Sequence, residues 1–251
     1  MTSSRARSAL NSLLLIAALL LLWQLLYWRV GDMAMRPPLA TVRYAAGMFA
    51  NEQFWGHLWE SMRAFAAALA IAVATGLTLG LWLGFHRFSG DVFEPVLVAL
   101  YSIPKITLYP ILLLMFGLGI SAKIAFGAIH GIIPIALFTI TSVRNIKPVL
   151  IKTGRVMGLT TWQMFRTILF PAAVPEIFTG VRIGFALTLI GTLLGEMFAS
   201  QRGLGYLLKT AIGLHNVDQI MGVTFLLVVF AAIVSAVLIA IDRRLHARSA
   251  T

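Results

Sequence analysis

Lys105 follows Pro104 in a stretch that is otherwise apolar, with Tyr101 one turn before it and Tyr109 one turn after. An ammonium group held among apolar residues draws an anion or a polar solute. At membrane depth such a charge marks a solute path or a buried partner. The carbonyls freed at a proline bend compete for the same lysine. His130, beside Gly131, and Glu196, in the run GEMFAS, are further polar groups inside apolar stretches. Hydrogen-bonded packing accounts for a lone histidine of this kind, so His130 is the weaker path residue. Glu196 suits an ion pair with Arg202 better than an outer gate, and Arg182 suits a snorkelling anchor.

A second chemistry is written between Asn145 and Pro171. This stretch carries Lys147, Lys152, Arg155 and Arg166 and no carboxylate. It is too polar to cross a membrane, yet it is studded with apolar residues at helical spacing, so it must dock on a surface. Enzymatic constellations are missing. No Gly-x4-Gly-Lys-Ser/Thr loop cradles a phosphate, and no His-Glu-x-x-His pattern is present. His57, His86, His130, His215 and His246 are too scattered to hold a metal, and there is no cysteine. No catalytic residue, metal or cofactor is expected.

The elements that must hold these groups follow from composition. Of 251 residues 59% are hydrophobic and 12% charged, with a mean hydropathy of +0.90. Soluble domains carry about 25% charged residues. The apolar runs are continuous rather than alternating, which argues for helices and against a β-barrel. Six spans fit: about Leu10–Trp28, His57–Gly84, Val92–Gly117, Ser121–Val143, Ala172–Phe198 and Gln219–Ile241. The first resembles a signal peptide but is long and lacks a small-x-small cleavage site, so it reads as an uncleaved span. The third, interrupted by Pro95, Pro104 and Pro110, must bend. Glycines at Gly76, Gly80 and Gly84, and again at Gly180/Gly184 and Gly191/Gly195, predict faces where helices approach closely. The chain is expected to be a single transmembrane domain, residues 1–251.

A formal charge of +11 would suggest nucleic acid in a soluble protein; here the cations fall between spans, as topology requires. With both termini inside, the inner segments hold Arg5, Arg7, Arg87, Arg144, Lys147, Lys152, Arg155, Arg166, Arg243, Arg244 and Arg248. The outer segments hold Arg29, Arg36, Arg43, Lys123, Arg202 and Lys209. Eleven against six places the termini and the basic segment in the cytoplasm. Outside, Pro37-Pro38 stiffens the loop Arg29–Gly56, Tyr44–Phe49 and Phe54-Trp55 suit a short interfacial helix, and SQRGLGYLLKTAIGLHN suits a short amphipathic piece.

Within 145–171, Pro148 suits a first helical position and Gly158 breaks the run. Thr160 and Gln163 then form a capping box before a stripe of Trp162, Phe165, Ile168 and Leu169, and Pro171 is expected to end the unit. A loop lying on anionic lipid would show the same composition.

The spacing is more specific. Gly158, nine residues, then Ile168-Leu169-Phe170-Pro171 is similar to the EAA loop of ABC importer permeases, which runs Glu-Ala-Ala, three residues, Gly, nine residues, Ile-x-Leu-Pro. Pro37-Pro38, HLWESMRAFAAALAIAVATGLTLG, EPVLVALYSIPKITLYPILLLMFGLG, PAAVPEIFTGVRIG and GEMFASQRGLGYL resemble the nitrate/sulfonate/taurine-type permeases in order and interval. Nearly the whole chain is covered.

That resemblance implies an all-α, six-span type I permease of the bacterial inner membrane. It implies a homodimer, gripped through residues 145–171 by a pair of cytoplasmic ATPases and supplied by a periplasmic binding protein. The cargo would be a small solute such as a sulfonate, nitrate, an aromatic acid or a vitamin precursor, and Lys105 tilts the choice towards anions. Lys152-Thr153-Gly154 stand where Glu-Ala-Ala would be, which reverses a charge at the implied ATPase contact. A stand-alone secondary transporter or channel using Lys105 and Glu196 is the alternative.

Overall fold

The computed structural model describes residues 2–249, and their side chains except at 2–9, 199 and 247–249. The side chains of Arg5, Arg7 and Arg248, part of the orientation argument, lie outside this description. Every regular element among the described residues is a helix. The chain forms two compact units: the described part of Met1–Gly56 with Leu207–Val229, and of His57–Tyr206 with Phe230–Thr251.

The first unit begins with α1, Thr2–Val30, whose leucines from Leu10 onward face outward, as a lipid-exposed span requires. Pro37 is extended and Pro38 starts α2, Pro38–Met48, so the proline pair fixes where that helix begins. Arg36 grips Asp218 with two nitrogens, at 2.7 and 2.9 Å, and Asp32 with a third at 3.0 Å. Asp218 belongs to α11, Val217–Ser249. Burial pushes the Tyr44 phenol above its ordinary pKa, and the Asp218 carboxylate adds to this. Phe49, Phe54 and Trp55 pack edge to face, with ring centroids 5.3 and 5.6 Å from Phe49.

The second unit is built around α6, Ile120–Arg144, which packs between α3, Glu52–Phe85, and α9, Phe170–Ala199. Small residues make this possible. Gly76, Gly80 and Gly84 of α3 lie against Ile135, Thr139 and Val143, leaving no room for a methyl group. From the other side Gly180, Gly184, Gly191 and Gly195 of α9 meet Phe138, Ile135, His130 and Lys123. Phe126, Ile135, Thr139 and Ile140 of α6 are fully buried. A separate cluster joins Phe65, Phe185 and Leu189 to Phe230, Val234 and Leu238 of α11.

The third expected span is not one helix. Helix α4, Arg87–Ser102, stops at Ile103-Pro104, a 3₁₀ turn covers Lys105–Leu108, and α5 runs Tyr109–Phe116, with a bend of 89°. Of its three prolines only Pro104 breaks the chain. Ile103 before it is extended, as a residue preceding proline prefers, and Pro104 is itself extended. Pro95 is carried inside α4, and Pro110 falls in the first turn of α5, where its missing N–H is not needed. Among the described residues five helices are long and apolar enough to cross a membrane, and the bent pair makes a sixth if it crosses as one.

Candidate functional site

The basic segment folds as two helices. Helix α7, Pro148–Val156, opens on its proline and ends before Gly158, whose φ of +68° lies in the left-handed region that glycine adopts without strain. Helix α8, Thr161–Met164, is capped reciprocally. Gln163 N–H donates to Thr160 Oγ1 at 3.3 Å, and Thr160 N–H donates to Gln163 Oε1 at 2.9 Å.

Pro171 does not end this unit. The chain passes through a π turn, Phe165–Leu169, into α9 without a stop. The wider turn lets Phe170 N–H reach Phe165 O at the point where Pro171 supplies no donor. The second helix is therefore the first part of a continuous rod from Thr161 to Phe198.

The residues at the Glu-Ala-Ala positions point two ways. Lys152 and Thr153 are exposed, and Gly154 is buried against Met164 and Ile168. Trp162 stacks on Phe165, with 5.7 Å between centroids. An apolar cavity of about 430 Å³ is lined by Leu150, Ile168, Phe170, Pro171, Pro175 and Leu245 among others. Nearby, Arg144 bridges Asp91 and Glu94, each at 2.8 Å, which fastens the end of α6 to α4.

Lys105 sits at the α4–α5 break, half-buried. Its Nζ donates to Tyr101 O at 3.0 Å and lies 4.8 Å from the centre of the Tyr101 ring. The carbonyl is one that the break frees from the helical ladder. Tyr109 does not join this pair. It is buried, packs on Phe126, and donates its hydroxyl to Gly195 O at 2.6 Å. His130 is also buried, with Nδ1 2.8 Å from Phe126 O and its ring against Gly191. Neither Tyr109 nor His130 hydrogen-bonds to the Lys105 ammonium, which donates to Tyr101 O.

Glu196 is completely buried, and its partner is not Arg202. Ser61 Oγ, 2.8 and 2.7 Å from the two carboxylate oxygens, donates to the carboxylate and accepts Leu204 N–H at 2.7 Å. Gly205 N–H donates to Glu196 at 2.9 Å. Around them, Lys123 Nζ donates to Arg202 O at 2.9 Å and to Glu60 at 3.1 Å, and Gly203 N–H donates to His57 Nδ1 at 3.1 Å. Glu196 and its neighbours thus pin the turn before α10, Leu204–Gly213, to the ends of α3, α6 and α9. Gly203 has φ +123° and faces the carboxylate with no space for a side chain. The expected ion pair fails because Arg202 contributes its carbonyl, to Lys123, while the carboxylate is satisfied by hydroxyl and backbone donors.

Arg182 is likewise a partner rather than a free anchor. It pairs with Asp242 at 3.3 Å, which also accepts from the Thr179 hydroxyl at 3.1 Å. Nothing in their sequence neighbourhood marks Ser61, Glu60, His57 or Lys123 as site residues. Lys123 in particular reads as a loop cation at a span end, yet it is 1% exposed. Only the unneutralised Glu196 signalled that donors had to converge there.

Among the described residues, helices long and apolar enough to span, a two-helix loop between two of them and a pinned turn at the far end of α9 describe a polytopic helical membrane protein. Residues 76–250 match the family described as binding-protein-dependent transport system inner membrane component, and the chain belongs to that family. It is 30% identical over 203 residues to the riboflavin transport system permease protein RibX of Chloroflexus aurantiacus, covering 78% of this chain and 76% of that one. To the taurine transport system permease protein TauC of Escherichia coli it is 25% identical over 197 residues, covering 78% and 72%. A solved structure of the MetNI methionine ABC transporter in inward-facing conformation shares the fold. Its TM-score is 0.65 at 21% identity, covering 75% of this chain and 94% of that one. The protein is thus a multi-pass permease subunit of an ABC importer.

Proposed function

We propose that this permease carries a small anionic solute and that Lys105 is the cation that receives it. The observation behind the reading is the Lys105–Tyr101 pair at the α4–α5 break. The ammonium is half-buried, and its contacts there are a carbonyl and a ring face. These contacts leave its charge uncompensated, and a carboxylate or sulfonate would compensate it. The relative TauC is named for the transport of taurine, which carries a sulfonate group.

Two copies of the chain form the path in the bacterial inner membrane, with both termini and residues 145–171 in the cytoplasm. A periplasmic binding protein delivers the solute. The chain does not itself hydrolyse ATP; a pair of separate ATPase subunits grips the 145–171 segments. Closure of that pair draws the segments together. Because α8 is continuous with α9, the pull passes directly along a rod and turns the path from inward- to outward-facing.

Substituting Lys105→Gln tests the solute class. In proteoliposomes holding the complete importer, uptake of an anionic solute is expected to fall by about tenfold or more, with ATPase capture unchanged. Uptake equal to wild type would remove Lys105 from the path.

A further inference from the structure

The three residues that depart from Glu-Ala-Ala separate into two groups. We infer that Gly154 is compensated within the chain, by Met164, whereas Lys152 is compensated by a carboxylate in the groove of the partner ATPase. This rests on the importer reading above and gives the contact its chemistry.

Gly154 comes first. A methyl group there would lie 2.6 Å from the Met164 sulfur and terminal carbon and 2.8 Å from Ile168 Cδ1. The ends of the Met164 and Ile168 side chains fill the place of the usual alanine's methyl group and would have to shift for it, so the change is answered inside the loop and no partner need know of it.

Lys152 lies on the other side. Val149, Lys152, Thr153 and Val156 recur at i, i+3, i+4 and i+7, which makes one stripe along α7. All four are exposed, Val149 by 60% and Val156 by 89%. The Thr153 hydroxyl turns back to donate to Val149 O at 2.9 Å, so it is satisfied within the helix. Its two valines flank the Lys152 ammonium along the helix, and exposed Arg155 lies one turn further on beside it. The segment holds no carboxylate of its own, and the ion pairs of the described residues do not include Lys152.

An interfacial helix keeps its cations on the face opposite its apolar residues. Here the cation lies between two exposed valines, where acyl chains would strip it of water without replacing the lost contacts. A protein groove with apolar walls and one acid at its floor satisfies both needs. The same groove discriminates, since one built to receive glutamate would oppose Lys152 with a like charge.

The test uses the full chain with the ATPase that co-purifies with it from native membranes. Lys152→Glu is expected to reduce ATPase capture by about tenfold or more, and Lys152→Gln by less, with weaker salt dependence. One carboxylate-to-lysine exchange in the ATPase groove should restore capture by Lys152→Glu. Gly154→Ala should impair capture independently of salt and be rescued by Met164→Ala. Undiminished capture by Lys152→Glu, or failure of every carboxylate exchange to restore it, overturns the inference. So does a Lys152→Glu chain that loses only its binding to phosphatidylglycerol vesicles. A wild-type chain that captures no ATPase overturns the importer reading itself, which is a different result.

Discussion

Glu196 keeps a whole carboxylate inside the protein, and its neighbours set what its removal would do. Replacing it with alanine leaves the Ser61 hydroxyl and Gly205 N–H buried without an acceptor, at a cost of about 1–3 kcal/mol each. Glu196→Ala is therefore expected to lower the melting temperature of the purified protein clearly, and Glu196→Gln, which keeps an acceptor oxygen, to lower it less. Equal melting of all three would contradict the described network. How far each residue was legible depended on the distance to its partner. The carbonyl that takes up Lys105 is four residues away, and a freed carbonyl at a proline bend could be anticipated. The partners of Glu196 are a serine 135 positions distant and backbone N–H groups, and backbone groups leave no mark in a sequence. Arg202 was the obvious ion-pair partner by charge and proximity, but proximity along a chain says nothing about which atom of a residue turns inward.

At the scale of elements, prolines were easy to find and hard to weigh. Pro95, Pro104 and Pro110 fall in one apolar run, yet the chain breaks only where an extended residue precedes the ring, at Ile103-Pro104. Pro104→Ala removes that restriction, so α4 should extend into the Lys105 turn and open the 89° bend. Because the chain contains no cysteine, spin labels placed at Phe93 and Leu114 alone would report the change as a longer inter-label distance. An unchanged distance would mean that packing, not Pro104, sets the bend. Pro171 carries the opposite lesson: a π turn absorbs its missing donor, and what looked like a boundary is the interior of a rod. The capping box at Thr160 and the glycine faces were readable because they rest on local chemistry and fixed spacing. Thr160→Ala should cost about 1 kcal/mol at that helix start, seen as faster amide exchange in Thr161–Met164. Exchange rates unchanged from wild type would mean that the cap is dispensable.

At the scale of the whole molecule, the helical class and the number of apolar runs were legible from composition. The central position of α6 followed from nothing but the glycines that press on it from both sides. The chain belongs to the binding-protein-dependent importer family, and under the proposed function the continuity of α8 with α9 is the mechanical route from a partner ATPase into the helices. We propose that transport through this path is driven through that route and not by the chain alone. Uptake of a labelled anionic solute into proteoliposomes tests it most directly, comparing the chain alone with the chain plus its co-purified ATPase, binding protein and ATP. Concentrative uptake is expected with the complete assembly and none with the chain by itself. Full, ATP-independent uptake by the isolated chain would contradict it.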